Sequence, residues 1–437
     1  MPIDQPAPPV APPPGPSAGP SAGAPTGPES PPAPFALLLA EVTSVQAIAT
    51  LSVLTLATVA PLAAASLGVG AEAVGYQISI IYGAAALISA VAGLVVRRWG
   101  AGTVGVIAML LGMLGCLGLA TGLLWVAALA SVLIGLGYGL VNPSSSHLLN
   151  RFTPPARRNL VFSLKQTGVP LAGVLAGLLL PGIGQIAGWR GAAGVVAALF
   201  AVLLVIFAPG RRVWDDDRKP GLILRGNLLE GPKLVWRVPA LRGFALMGFC
   251  FSAIQLSLMA FTVNMLVHDL DWSIVAAGFA VSVMQAAGAA GRIGWGLLAD
   301  RLKSGVAVLA GIGALSMAAA FATAALAPGW PVGAVVAVLA VFGTAAIGWN
   351  GVFLAEVARV SPPGAASTAT GGAMMFTFTG VVVGPALFAS LFNIIGSYGP
   401  TFALMAVFPV AGAAAVLWSA RRTANPKADA KAARQDA

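Results

Sequence analysis

Charge is scarce in this sequence: 24 Lys and Arg and 14 Asp and Glu among 437 residues, 9% in all. A soluble globular domain carries roughly 25% charged residues, so a water-facing surface of ordinary size is excluded. Cysteine is almost absent. Cys116 and Cys250 stand alone in separate apolar blocks, which leaves no disulfide framework or metal-binding spacing, and both read as small buried hydrophobes. There is no Walker phosphate loop and hence no visible ATP motor. No Ser, His and acid stand in a nucleophile context, and the basic central loop has no stacking aromatics arranged for nucleic acid. An enzyme, a cofactor and a nucleic-acid partner are therefore not expected.

What is present is apolar. Hydrophobic residues make up 58% and glycines number 54; mean hydropathy is +0.89. The apolar residues fall in blocks of roughly twenty, the length that crosses a ~30 Å hydrocarbon core. Twelve spans are read at 37–65, 74–96, 102–121, 124–147, 160–183, 190–208, 243–267, 274–298, 305–326, 331–357, 366–394 and 399–420. Backbone groups in lipid must pair within their own segment, so each span is a helix. Residues 1–34 hold 14 of the 32 prolines and no Lys or Arg. That composition predicts a disordered tail, without the basic start of a signal peptide.

Placing the N-terminus in the cytoplasm puts 21 of the 24 basic residues on inside loops, the central linker and the C-terminal tail. Only Arg190 falls outside, and Lys165 and Arg292 lie within spans. The positive-inside rule then predicts a multi-pass protein with both termini cytoplasmic. A linker at 209–242, rich in Arg, Lys and Asp, divides the chain into bundles at 35–208 and 243–420, followed by a tail at 421–437. Gly135-Leu-Gly-Tyr-Gly-Leu-Val-Asn142 and Gly343-Thr-Ala-Ala-Ile-Gly-Trp-Asn350 match at both ends with an offset of 208, which also pairs Arg151 with Arg359 and Gly188 with Gly396. These repeats predict an all-α membrane protein of twelve helices in two pseudo-symmetric six-helix bundles, with a site at their interface.

On these residues the chain resembles the major facilitator superfamily over about 35–420. The family's loop signature Gly-x-x-x-Asp-Arg stands at Gly296-Leu-Leu-Ala-Asp300-Arg301. Its first-half counterpart, Gly93-Leu-Val-Val-Arg97-Arg98, has Arg in place of Asp. Gly188-Trp189-Arg190 is another common element of the family. The wider segment from Gly291-Arg292 to Arg301 is similar to the eighth helix of monocarboxylate transporters and oxalate–formate exchangers. There an arginine four residues before the glycine engages a substrate carboxylate, and the resemblance gives that role to Arg292. Gly348-Trp349-Asn350-Gly351 with Glu356-Val-Ala-Arg359 resembles uncharacterised bacterial facilitators and the cyanate/nitroimidazole group.

Arg292 lies eight residues before Asp300, so about 12 Å up a helix. Two readings follow from that depth: a fork for a carboxylate, or a structural arginine tied to backbone carbonyls or to the loop signature. Lys165, with Gln166 beside it, either adds positive charge to an anion site or snorkels to the interface. Glu41 and Glu356 are the candidate proton carriers, each with interfacial placement as the plainer reading. His147 is expected to be hydrogen-bonded. Asp300 and Arg301 read as a loop ion pair that, with Gly296, biases a gate. Gln46, Asn142, Gln255, Asn264 and Asn350 either line a central cavity or join neighbouring helices. Pro170 and Pro385 are expected to bend their spans.

The expected function is secondary transport of a small organic anion, proton-linked, by a monomer in the bilayer of a bacterial inner membrane. Proton-antiport efflux of drugs or metabolites and a non-transporting membrane sensor are the alternatives.

Overall fold

The computed structural model describes residues 34–69, 73–222 and 229–424. The Pro-rich tail up to residue 33, Arg225, and the C-terminal Lys427, Lys431 and Arg434 lie outside them. The first bundle is built from α1 (Phe35–Thr58), α2 (Ala60–Leu67), α3 (Ala73–Trp99), α4 (Ala101–Ala120), α5 (Leu124–Phe152), α6 (Arg158–Gln166) and α7 (Gly168–Phe207). A short linker helix, α8 (Glu230–Arg237), leads into the second bundle. That bundle comprises α9 (Pro239–His268), α10 (Ile274–Arg301), α11 (Gly305–Ala324), α12 (Val332–Gly348), α13 (Asn350–Val360), α14 (Ala366–Ile395), α15 (Tyr398–Met405) and α16 (Val407–Ala424).

These helices form twelve rods. Among the described residues ten apolar stretches are long enough to cross a membrane; one of them, Pro155–Phe207, holds two rods, and the 28-residue α10 supplies the twelfth. The double stretch turns at Gly188, whose φ of 71° belongs to the left-handed region where a side chain is strained.

Proline explains most of the internal breaks. It lacks an N–H and clashes with the carbonyl four residues back. Pro61 sits just after the break at Val59 that splits the first span into α1 and α2. Pro170 follows the break at Thr167 between α6 and α7. Pro385, the other proline expected to bend its span, lies inside the single helix α14. The tenth span breaks at Trp349 with no proline present.

Packing repeats between the bundles. In the first, α3 packs on α5, α4 on α5 and α7, and α1 on α7; in the second, α10 packs on α12, α11 on α12 and α16, and α9 on α14. Across the interface α3 meets α14 and α6 meets α10, the two symmetry-related pairs. Every cross-bundle contact described below lies toward one end, where the linker gathers. Arg98 donates to the Leu222 carbonyl, Arg151 forks onto Asp216 at 2.6 and 2.7 Å, and His147 bonds Asp217 at 2.6 Å, so the expected hydrogen bond of His147 is present. Asp215 accepts from the Gly102 and Thr103 amides at 2.7 and 3.0 Å, which caps α4 at its positive end.

The apolar core shows the same asymmetry. One cluster runs through the first bundle and crosses into the linker-side half of the second, taking in Phe244, Trp349 and Phe353. A separate cluster, including Leu258, Phe342 and Phe402, is confined to the far half of the second bundle. The bundles are therefore sealed at the linker end.

Candidate functional site

Just above that seal, α1, α5, α6 and α10 bring Lys165 and Arg292 together between the bundles. Each is 1% exposed, and they are close enough to repel each other electrostatically. Lys165 Nζ donates to Gln46 Oε1 and Asn142 Oδ1, both at 2.6 Å, and to Gln166 Oε1 at 3.4 Å. All three partners are neutral. Among the described residues no carboxylate pairs with either cation.

Arg292 is held by a consequence of Pro170. That proline has no N–H to give the Gln166 carbonyl four residues back, and Arg292 Nη1 donates to this freed oxygen at 2.6 Å. The reading of Arg292 as tied to a backbone carbonyl is thus correct for one nitrogen. Its Nε is buried and has no partner. An unbonded donor on a buried guanidinium is costly, and an added acceptor would relieve it.

An aromatic cluster joins the bundles near Arg292. Tyr82 and Tyr138 of the first bundle meet Phe378 of the second with ring centres 5.8 and 5.6 Å apart. The Tyr138 hydroxyl lies within reach of Thr50 and Gln46, and Gln46 Nε2 donates to Thr50 Oγ1 at 3.2 Å. Tyr138 and Thr50 were not singled out in the sequence. The available signals were the place of Tyr138 inside the repeated octapeptide and of Thr50 one helical turn beyond Gln46.

The second bundle carries a matching polar pair. Gln255 Oε1 accepts from Trp349 Nε1 at 2.9 Å and from Asn350 Nδ2 at 3.2 Å. Asn350 is the repeat partner of Asn142, and Gln255 falls 209 residues after Gln46, one step from the repeat offset. In the first bundle an ammonium joins the two amides; in the second they bond directly. Trp349 is thus a member of this cluster. Asn264 is exposed on α9, about two and a half turns beyond Gln255, and does not join it.

The gate residues lie below the cations. Asp300 does not pair with Arg301. Its carboxylate crosses to the other bundle and accepts from the amides of Asn159 and Leu160 at 3.2 and 2.9 Å and from Asn159 Nδ2 at 2.8 Å. The exposed N–H groups of a helix start attract an anion more strongly than a flexible neighbouring arginine does. Gly296 and Gly351 flank Ser163 so closely that a Cβ on either would stand 2.5 or 2.3 Å from its hydroxyl. Glu356 accepts twice from Arg359, at 2.9 and 2.5 Å. Glu41 faces the Trp214 side chain and lies near Asp215. Neither glutamate reaches the cation pair.

Two six-helix bundles with a buried polar site at their interface define a polytopic membrane protein of duplicated architecture. The family model of the Major Facilitator Superfamily matches residues 42–385, and the chain belongs to that superfamily. An uncharacterised MFS-type transporter of Mycobacterium tuberculosis is 26% identical over 294 residues, 66% of this chain and 63% of the relative. The match thus spans less than two thirds of that relative's length. Among solved structures, the fucose:proton symporter FucP of E. coli superposes with a TM-score of 0.70 at 12% identity, over 88% of this chain and 99% of FucP. The human organic anion transporter TETRAN superposes with a TM-score of 0.71 at 14% identity, over 88% and 100%.

Proposed function

We propose that this protein is a secondary transporter that moves a small, monocarboxylate-like organic anion across a bacterial inner membrane by alternating access, with flux linked to protons. The observation that carries the reading is the pair of buried cations, Lys165 and Arg292, bonded only to neutral oxygens. Charges in a membrane interior are expensive and mark sites of function. A carboxylate entering between the bundles supplies the missing negative charge and an acceptor for Arg292 Nε. A lipophilic cation would meet two like charges, which weighs against drug efflux. One structural neighbour being an organic anion transporter and another a proton symporter is consistent with this reading.

In the proposed cycle the linker end faces the cytoplasm and is sealed, while substrate arrives from the opposite face. Gln46, Asn142 and Gln166 orient Lys165, and Gln255 with Asn350 provides the facing polar wall. Of the two glutamates, Glu41 is the better proton carrier. It sits beside a second carboxylate, Asp215, and this repulsion is relieved when one of the two takes a proton. Glu356 is already neutralised by Arg359. The protein works as a monomer with both termini cytoplasmic.

The test is ligand-induced thermal stabilisation of purified protein by short carboxylates and by lipophilic cations, followed by flux in proteoliposomes. A ligand that binds the native state raises its melting temperature. Carboxylate shifts that disappear in Arg292→Ala support the site; shifts with cations alone refute it.

A further inference from the structure

The first bundle lacks the carboxylate that seals the second. Where the second-half signature places Asp300 on the start of α6, the first half has Arg97, and the residue at the corresponding start of α14, Ala365, makes no side-chain cap. There the hydroxyls of Ser367, Thr368 and Thr370 are buried without partners. The linker helix α8 fills this position. It packs on α3, α9 and α14 at once, with Val235 fully buried. Gly231 lies so close to both bundles that a Cβ would stand 2.8 Å from the Ala90 carbonyl oxygen and 3.1 Å from the Gly372 nitrogen. Trp236 stacks on Phe376 of α14 with ring centres 6.1 Å apart. Arg97 donates to both oxygens of Glu230, at 2.6 and 2.5 Å.

We propose that α8 is a clasp that holds the linker end shut, and that the Arg97–Glu230 ion pair is the bond broken each time this end opens. This inference rests on the rocking motion proposed above, but not on the substrate. Opening must part α3 from α14, and α8 cannot stay on both. It runs through Val238 directly into α9 and stacks on α14, so it travels with the second bundle. Its contacts with α3, among them the ion pair and the Gly231–Ala90 approach, are left to break. An Asp-to-Arg change that looks like a lost latch is thereby answered by a glutamate from the linker.

Thr368 reports on this seam. It is 2% exposed, unbonded at its hydroxyl and pressed against Gly93. In a Thr368→Cys protein with Cys116 and Cys250 changed to Ala, the rate of labelling by a polar maleimide in detergent measures how often the end opens. Because both partners are partly exposed, Glu230→Gln is expected to raise that rate roughly two- to five-fold. Arg97→Glu combined with Glu230→Arg is expected to return it to the parent value. Gly372→Ala, which pushes a Cβ to 2.4 Å from the Gly231 carbonyl oxygen, is expected to raise it as well. Unchanged labelling in Glu230→Gln and Gly372→Ala, with unchanged melting temperatures, overturns the clasp. If Glu230→Gln melts early, the charge-reversed pair decides: labelling that stays high overturns the ion pair, and parental labelling supports it. No substrate is needed, so a failed anion site and a failed clasp are told apart.

Discussion

At the scale of single residues, the site is an exercise in uncompensated charge. An arginine or lysine at a helix centre costs roughly 2.5–3.5 kcal/mol on insertion scales, and Arg292 and Lys165 are both buried with no carboxylate paired to either among the described residues. Lys165 offsets its share with strong bonds to Gln46 and Asn142. Arg292 has one bond and an idle Nε. Bonds to charged groups contribute about 1.5–3 kcal/mol, so Arg292→Ala should weaken carboxylate binding about 10- to 100-fold, measured by titration calorimetry. Arg292→Lys should fall short of wild type, because a point charge cannot replace the planar fork. Lys165→Met should lower stability by about 1–3 kcal/mol, since two buried amide oxygens lose their donor; an unchanged denaturation midpoint would mean that water replaces it.

At the scale of elements, proline placement decides where functional groups go. Pro170 ends α6 and leaves the Gln166 carbonyl free for Arg292. Pro170→Ala restores a competing N–H. It should straighten the α6–α7 junction and lower substrate affinity without touching any residue of the cation pair; equal affinity in a properly folded variant would refute this coupling. The linker depends on acid–base chemistry outside the membrane. Asp216 is held below the usual carboxylate range by its bonds to Arg151. Asp217 is held below it too, as the His147 bond and the Arg151 charge outweigh the cost of burial. A depressed carboxyl contributes stability that is present above its unfolded value near 3.9 and lost as pH falls through the lower folded value. The linker should therefore resist proteolysis down to about pH 4 and become cleavable below it.

At the scale of the whole molecule, two bundles sealed at one end form a two-state machine whose balance is set by few contacts. Asp300 spans the bundles at α6, and α8 spans them at α14. The two latches differ in kind, so weakening either should bias the same equilibrium through different chemistry. The proposed proton linkage belongs at this scale, because Glu41 lies at the sealed end and not at the site. On that proposal, Glu41 acts through opening, which carries it away from the linker residues Trp214 and Asp215. Glu41→Gln should retain anion exchange while flux loses its rise with falling pH, measured in proteoliposomes with an imposed pH gradient. Flux in Glu41→Gln that tracks pH as wild type does would remove this glutamate from the coupling.

The sequence by itself determined the architecture. Scarce charge, spans of membrane length and a 208-residue repeat leave few alternatives to two bundles of six helices, because the bilayer permits so little else. It also singled out Arg292 and Lys165, since a charge inside an apolar span is visible without coordinates. What only the tertiary structure decided was partnership. That Asp300 prefers a helix start to Arg301, that Arg97 meets Glu230 some 130 residues away, and that Tyr138 meets Phe378 across the bundles depends on which helix faces lie opposite each other. Hydropathy measures transfer from water to lipid, and Leu, Val, Ile and Phe are found both on the exposed faces and in the packed core of these helices. The faces are chosen by small residues such as Gly296, Gly351 and Gly231, whose missing side chains matter only once a neighbour is in place.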